Sequence, residues 1–209
     1  MSTTQRRLLR VELHTLWHAG SGRGDGPGAD ALVVCGPKGA PYLPGRTLKG
    51  LLRDAYSWAS RLGHTGERPA THVLFGGVDP SARAAGVDDV ARYDTQLARV
   101  RVSDARLGGE SAQAHASWQA WLGEDPARAM ALKQIVNATA LDEQGTVKAQ
   151  TLRSVEFAVP LVLYAELEGD PESLDAIAWI APLVRELGAR RHRGFGRCTL
   201  QVCDVVEGV

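Results

Sequence analysis

The stretch PYLPGRTLKGLLR (residues 41–53) places Arg46, Lys49 and Arg53 where a helical pattern begins. The start of a helix exposes free backbone N–H groups and the positive end of the helix dipole, so acidic residues ordinarily occupy its first turn. A basic first turn points to an anion supplied from elsewhere, and such a helix end is a phosphate site in waiting. The Thr47 hydroxyl can bond that phosphate or cap the helix. A second basic feature is ARRHRGFGR (189–197), in which Arg190, Arg191, Arg193 and Arg197 surround Gly194 and Gly196. Arginine favours bidentate phosphate contacts, and the glycines let backbone approach a ligand closely. Phe195 between them can stack on a base or pack behind the turn. The third feature is GSGRGDGPG (20–28), a glycine loop carrying Arg23. It fits neither GxGxxG nor GxxxxGK[ST], and no helix follows at once, so nucleotide-binding loops of those kinds are excluded.

These features need elements to position them. Leu9, Val11 and Leu13 alternate with Arg10, Glu12 and His14, predicting a half-buried strand that runs into the glycine loop. ALVVCG is a short apolar strand. Leu48, Leu51, Leu52, Ala55, Ala59 and Leu62 form the apolar stripe of a helix from about Thr47 to Leu62, with Thr47 as its cap. Residues 76–95 read as a polar connection, ARVRVSDARL as a strand, and 111–136 as one or two helices broken near GEDP. NATALDEQGTVKAQTLRS reads as a projecting hairpin. The odd-numbered positions from Val155 to Leu167 are apolar without a miss, the longest strand signal in the chain, with Pro160 marking an edge or bulge. GDPESLDAIAWIAPLVRELG predicts a helix capped by Asp170, kinked at Pro182 and ended by Gly188. TLQVCDVVE closes the chain as a strand.

With the insertion removed, the order is βαββαβ: an α+β, ferredoxin-like (RRM-like) core with both helices on one face of an antiparallel sheet. We expect one domain, with its core at about 1–62 and 151–209 and an inserted lobe and thumb at about 63–150. The glycine loop leaves strand one and the basic loop enters strand four. Those strands are neighbours or near-neighbours in this fold, so the basic features can converge.

The 209 residues carry 24 basic and 24 acidic side chains, so net charge neither predicts nor excludes a polyanion, and local distribution decides. Cys35, Cys198 and Cys203 form no CxxC, and the last two fall on opposite faces of one strand, which excludes a disulfide framework or zinc knuckle. No stretch approaches the roughly 18 apolar residues of a membrane span, and the first residues lack a signal-peptide pattern. A soluble, cytoplasmic protein with no membrane partner is the expectation.

At this point the chain resembles the CRISPR-associated RAMP superfamily. LPGRTLKGLLR looks like its helix-opening signature, LHTLWHAG its first strand, and GADALVV the segment before the signature. LFG and VRVSDARL are similar to its central landmarks, LDEQGTVKAQTLRSVEF to its thumb hairpin and following strand, and RRHRGFGR to its C-terminal glycine loop. The closest likeness is to the repeating backbone subunit of type III interference complexes. Two departures stand out: Arg46 occupies a position where a small residue is commoner, and the thumb lacks the Asp-Arg-x-Thr-Gly stretch frequent in close relatives.

The resemblance implies a subunit that stacks with copies of itself and with other type III subunits along a guide RNA, its thumb interrupting the guide–target duplex. Asp30 matches the loop aspartate that supports metal-dependent cleavage of target RNA by the target's own 2′-hydroxyl, with Mg²⁺ or another divalent cation held jointly with RNA. Asp25 competes for that role, and Asp30 can alternatively begin a strand or cap a loop. His18 matches a position that contacts RNA or packs at the end of strand one. The implied activity is a metal-dependent endoribonuclease. The alternatives are a non-catalytic scaffold of the same fold, or a metal-independent guide-processing endoribonuclease with a histidine such as His18 as general base.

Overall fold

The computed structural model describes residues 4–26, 28–79, 95–140, 143–146, 148 and 151–204. β1 (Gln5–Leu13) buries Leu9, Val11 and Leu13 on one face, as its alternation requires. It is the inner strand between β5 (Val162–Gly169) and β6 (Cys198–Asp204), antiparallel to both, with Val11 opposite Leu163 on one side and Leu200 on the other. A two-residue edge strand, β2 (Arg101–Val102), pairs antiparallel with β5, giving the four-stranded order β2-β5-β1-β6. Helix α1 (Gly45–Arg61) lies between β1 and β2 in sequence, and α5 (Pro171–Ile180) lies between β5 and β6. This is the expected ferredoxin-like βαββαβ core. Leu48, Leu52 and Tyr56 of α1 and Leu174, Ile177 and Ile180 of α5 share one core with the inward side chains of the sheet. The sheet takes its edge strand from within 63–150, the stretch expected to be inserted.

Between α1 and β5 lie α2 (Thr71–Phe75), α3 (Ala112–Glu124), α4 (Pro126–Ala131) and a second sheet of β3 (Lys133–Ala138) with β4 (Arg153–Ala158). β3 and β4 are the arms of the expected hairpin, Val136 opposite Val155. At its tip, residues 141–142, 147 and 149–150 fall outside the described residues, as do 80–94 of the expected polar connection.

Several expectations are corrected. The alternation from Val155 to Leu167 is two strands in two sheets, because Pro160 has no N–H to give a ladder and the chain changes sheet there. The helix expected to run to Gly188 stops at Ile180, and Pro182 sits in a one-turn 3₁₀ segment rather than at a kink. Asp170 does cap it, accepting the Ser173 N–H at 3.0 Å. Helix α1 begins at Gly45, two residues before the expected cap, with Pro44 in the cap position. The end of the expected 111–136 helical region is strand β3. ALVVCG makes isolated bridges instead of a ladder: Ala31 with Val155, Val33 with Gly20, Cys35 with Pro41. The three cysteines are free, Cys198 being buried and Cys203 partly exposed. Among the described residues no helix is long and apolar enough to cross a membrane.

Candidate nucleic-acid interface

The helix-opening signature is shaped first by its own chain. Leu43 and Ala105 exchange both backbone hydrogen bonds, at 3.0 and 2.8 Å, laying the signature along the segment after β2. A Cβ on Gly45 would sit 2.3 Å from the Val102 carbonyl oxygen, so only glycine fits. The Gly45 N–H then donates to Asp104 Oδ1 at 2.9 Å, and Arg106 holds the other carboxylate oxygen at 3.0 Å. An internal acid therefore caps the basic first turn of α1, a contact sequence reading missed. Arg46 stays exposed beside it, on an open groove of about 500 Å³ that it shares with Asp104, Arg106, His115, Tyr164 and Glu166. Thr47 is half-buried, with its N–H bonded to Pro44. Burial pushes the Lys49 ammonium below its usual pKa, and the Arg53 charge one turn on adds to this. Arg53 itself pairs with Asp54 at 3.7 Å.

The C-terminal basic loop is sewn to the end of β1. Arg197 accepts from the His14 N–H through its carbonyl at 2.8 Å and donates its N–H to Thr15 Oγ1 at 3.0 Å. The Gly196 N–H reaches Leu16, and the Ala189 N–H reaches His18. Gly196 has φ +72°, and a Cβ there would lie 1.9 Å from the Leu187 carbonyl oxygen, so its close approach is to its own chain. Gly194, with φ +81°, faces open space. Arg190 is itself left-handed at φ +60°. Arg191, Arg193 and Arg197 are exposed.

A ladder of rings ties this loop to β4. Phe195 stacks on Phe157 at 4.5 Å, His18 meets Phe157 at 5.6 Å, and the Arg190 guanidinium lies 5.9 Å from the Phe157 ring. Phe195 thus has one face packed while remaining partly exposed. His18 is only 6 % exposed, its Nδ1 bonded to the Glu156 carbonyl oxygen at 2.7 Å and its Nε2 against Gly20. It braces the base of the glycine loop.

That loop folds back on itself: Ser21 N–H bonds to Leu32, Leu32 N–H to Arg23 and Val34 N–H to Ala19. Its return arm joins the hairpin. Asp30 N–H donates to the Ser154 carbonyl, and Ser154 N–H donates to Asp30 Oδ2, both at 2.7 Å. Ala31 pairs parallel with Val155, and Glu156 accepts the Val33 N–H at 3.0 Å while pairing with Lys133 at 3.2 Å. Asp30 is therefore an exposed carboxylate fixed at the root of β4, whereas Asp25 sits in the loop against Gly28. Among the described residues no cluster of three His, Cys, Asp or Glu could hold a metal. A carboxylate is the hard oxygen ligand that Mg²⁺ prefers, and Asp30 supplies one such group.

The elements meet at one end of the sheet. β1 ends at Leu13 opposite Cys198, the first residue of β6, and β5 starts opposite Glu12. Arg106, just past Asp104, pairs with Tyr164 of β5. The glycine loop, the basic loop and the α1 signature thus share that end. Ion pairs engage Arg6, Arg7, Arg10, Arg53, Arg99, Arg106 and Arg128. Arg23, Arg46, Lys49, Arg190, Arg191, Arg193 and Arg197 have no acidic partner among the described residues, and neither do Arg61, Arg68, Arg101, Arg153 and Arg185 elsewhere. A wider cleft, of about 720 Å³, lies at the opposite end, where Arg99 pairs with Glu172 at 3.7 Å beside Asp170.

The sequence profile of the RAMP superfamily matches residues 10–199. No curated protein matches the chain. Among solved structures, a chain of the Type III-B Cmr-beta complex bound to cognate target RNA is similar at TM-score 0.63 and 12 % identity, covering 96 % of this chain and 98 % of that one. A chain of Cmr-beta in its apo state is similar at TM-score 0.63 and 12 % identity, covering 94 % and 96 %.

Proposed function

We propose that this chain, which belongs to the RAMP superfamily, is a guide-RNA-binding backbone subunit of a type III CRISPR effector complex. It assembles with copies of itself and with other subunits in the cytoplasm and cleaves complementary target RNA. One observation carries this reading: at one end of the sheet seven basic side chains, from the glycine loop, the start of α1 and the C-terminal basic loop, lack acidic partners among the described residues. Cations from separate segments gathered at one end without acidic partners suit a phosphate backbone. The similarity to a complex bound to target RNA supports the same reading.

In the cleavage step the target's 2′-hydroxyl attacks the adjacent phosphorus. Its proton is lost, the P–O5′ bond breaks, and the departing 5′-oxygen takes up a proton, leaving a 2′,3′-cyclic phosphate. Asp30 would hold a divalent cation through one carboxylate oxygen, the other being fixed by the Ser154 N–H. Bound there with RNA oxygens, such a cation would supply stabilisation of the charge building on the phosphate. His18 is a poor general base for the processing alternative, since burial and the Glu156 contact keep it from substrate.

The test is cleavage of a labelled target by the guide-loaded complex. Spaced cuts that vanish with EDTA and with Asp30→Asn, guide retained, are expected. Asn can still accept the Ser154 N–H, so this change removes charge and spares the fold. An intact target with guide bound leaves a non-catalytic scaffold. Cuts that survive EDTA and vanish with His18→Ala indicate the processing nuclease.

A further inference from the structure

A second cavity lies behind the α1 signature groove, between the PKGAPY turn (37–42) and helix α3, with a volume of about 230 Å³. Its walls are mainly apolar, from Pro37 and Pro41, with Tyr42, Arg106, His115 and Gln119 converging on it. The turn is stiff. Lys38 and Gly39 are both left-handed, at φ 61° and 75°, and a Cβ on Gly39 would already touch Ala129 of α4 at 3.0 Å. The opposite wall is α3, where His115 and Gln119 stand one turn apart on the same face.

Three of the polar groups around the cavity are not used up by the fold, while Arg106 is held by Asp104. His115 Nδ1 bonds the Leu107 carbonyl at 2.9 Å, so in the neutral ring Nδ1 carries the proton and Nε2 is a spare acceptor. Neither the Gln119 amide nor the Tyr42 hydroxyl bonds a described residue. The Arg106 guanidinium lies 5.9 Å from the Tyr42 ring. An aromatic face, a guanidinium, an amide and an imidazole acceptor around a small apolar slot suit a flat heteroaromatic ring with a polar edge. The volume matches roughly eight waters, room for one ring system and not for a peptide side of an interface. Arg106 and His115 also line the adjoining groove that carries Arg46 at the α1 N-terminus.

We propose that this cavity takes one nucleobase of a bound RNA strand, with its ribose-phosphate toward the exposed Arg46 of the adjoining groove. Tyr42 supplies the stacking face, and Gln119 and His115 bond the base edge. The inference rests on the RNA-binding reading but adds to it a pocket that a purely backbone-binding surface does not need.

The test compares affinities for a labelled single-stranded RNA and for an abasic strand of equal length, using the wild-type chain, Tyr42→Leu and Gln119→Leu. Each variant is expected to weaken binding of the intact RNA by about tenfold and to leave affinity for the abasic strand unchanged, with unaltered thermal unfolding. Wild-type-like affinity of both variants for intact RNA overturns the pocket while the RNA interface stands. A chain that binds neither strand overturns the RNA interface instead. Calorimetric titration with nucleoside monophosphates then decides the pocket: heat abolished by Gln119→Leu retains it as a nucleotide site, and no heat overturns it.

Discussion

Asp104 Oδ1 accepts the Gly45 N–H at 2.9 Å across 59 positions of sequence, so the basic first turn of α1 is capped by an acid from the segment after β2. The cap also fixes how the signature meets that segment. Asp104→Ala is expected to lower stability by about 1–2 kcal/mol in urea unfolding, with Asp104→Asn closer to wild type. Gly45→Ala should cost more, about 3 kcal/mol, because its methyl would fall 2.3 Å from the Val102 oxygen.

The two glycines flanking Phe195 should part company on substitution. Gly194→Ala meets nothing within 4 Å and bears only the left-handed penalty, about 1–2 kcal/mol. Gly196→Ala would drive a methyl to 1.9 Å from the Leu187 oxygen and should fail to fold. Equal thermal stability of the two variants would contradict the closure described for this loop.

Cys198 gives the fold an alkaline weakness. Burial pushes its thiol from 9.0 to about 12, with the Glu186 charge adding to the rise. The folded state prefers the neutral thiol more than the unfolded state does. Its contribution is therefore complete below about 9 and is lost as pH climbs toward about 12. Across that window the wild-type stability should fall more steeply than that of Cys198→Ala, by up to about 1.4 kcal/mol per pH unit. Parallel pH profiles would contradict it.

Lys49 predicts a pH dependence of RNA affinity. Burial, and then Arg53, hold its pKa below the usual lysine value in the free protein. A phosphate beside it would raise that pKa in the complex. Its contribution to binding is then full below the free-protein pKa and is lost as pH rises through the bound one. Affinity should decline on the alkaline side, and Lys49→Arg should flatten the decline. A slope that Lys49→Arg leaves unchanged would place Lys49 away from RNA.

The core was legible because its signals are local. The alternation of Leu9, Val11 and Leu13, the stripe of α1 and the Asp170–Pro171 helix start each lie within one element. Where contacts are long-range, sequence reading fell short. Nothing near Asp104 announces a helix start 59 residues earlier, and an unbroken alternation through Pro160 cannot show that two sheets share it. Among candidate site residues, the basic loops were visible as composition. That Gly196 serves chain closure, that His18 is buried and that Phe195 already stacks on Phe157 depend on tertiary packing alone.

The central claim, that the unpaired basic residues bind an RNA backbone, is tested most directly by the salt dependence of single-stranded RNA affinity. The comparison is between wild type and a chain with Arg191, Arg193 and Arg197 changed to Ala. Each phosphate contact on a single strand contributes about 0.7 to the slope of log affinity against log salt. The account predicts tight, salt-sensitive binding by the wild-type chain and a slope smaller by about 2 in the triple variant. Equal slopes, or RNA binding indifferent to salt, would contradict it.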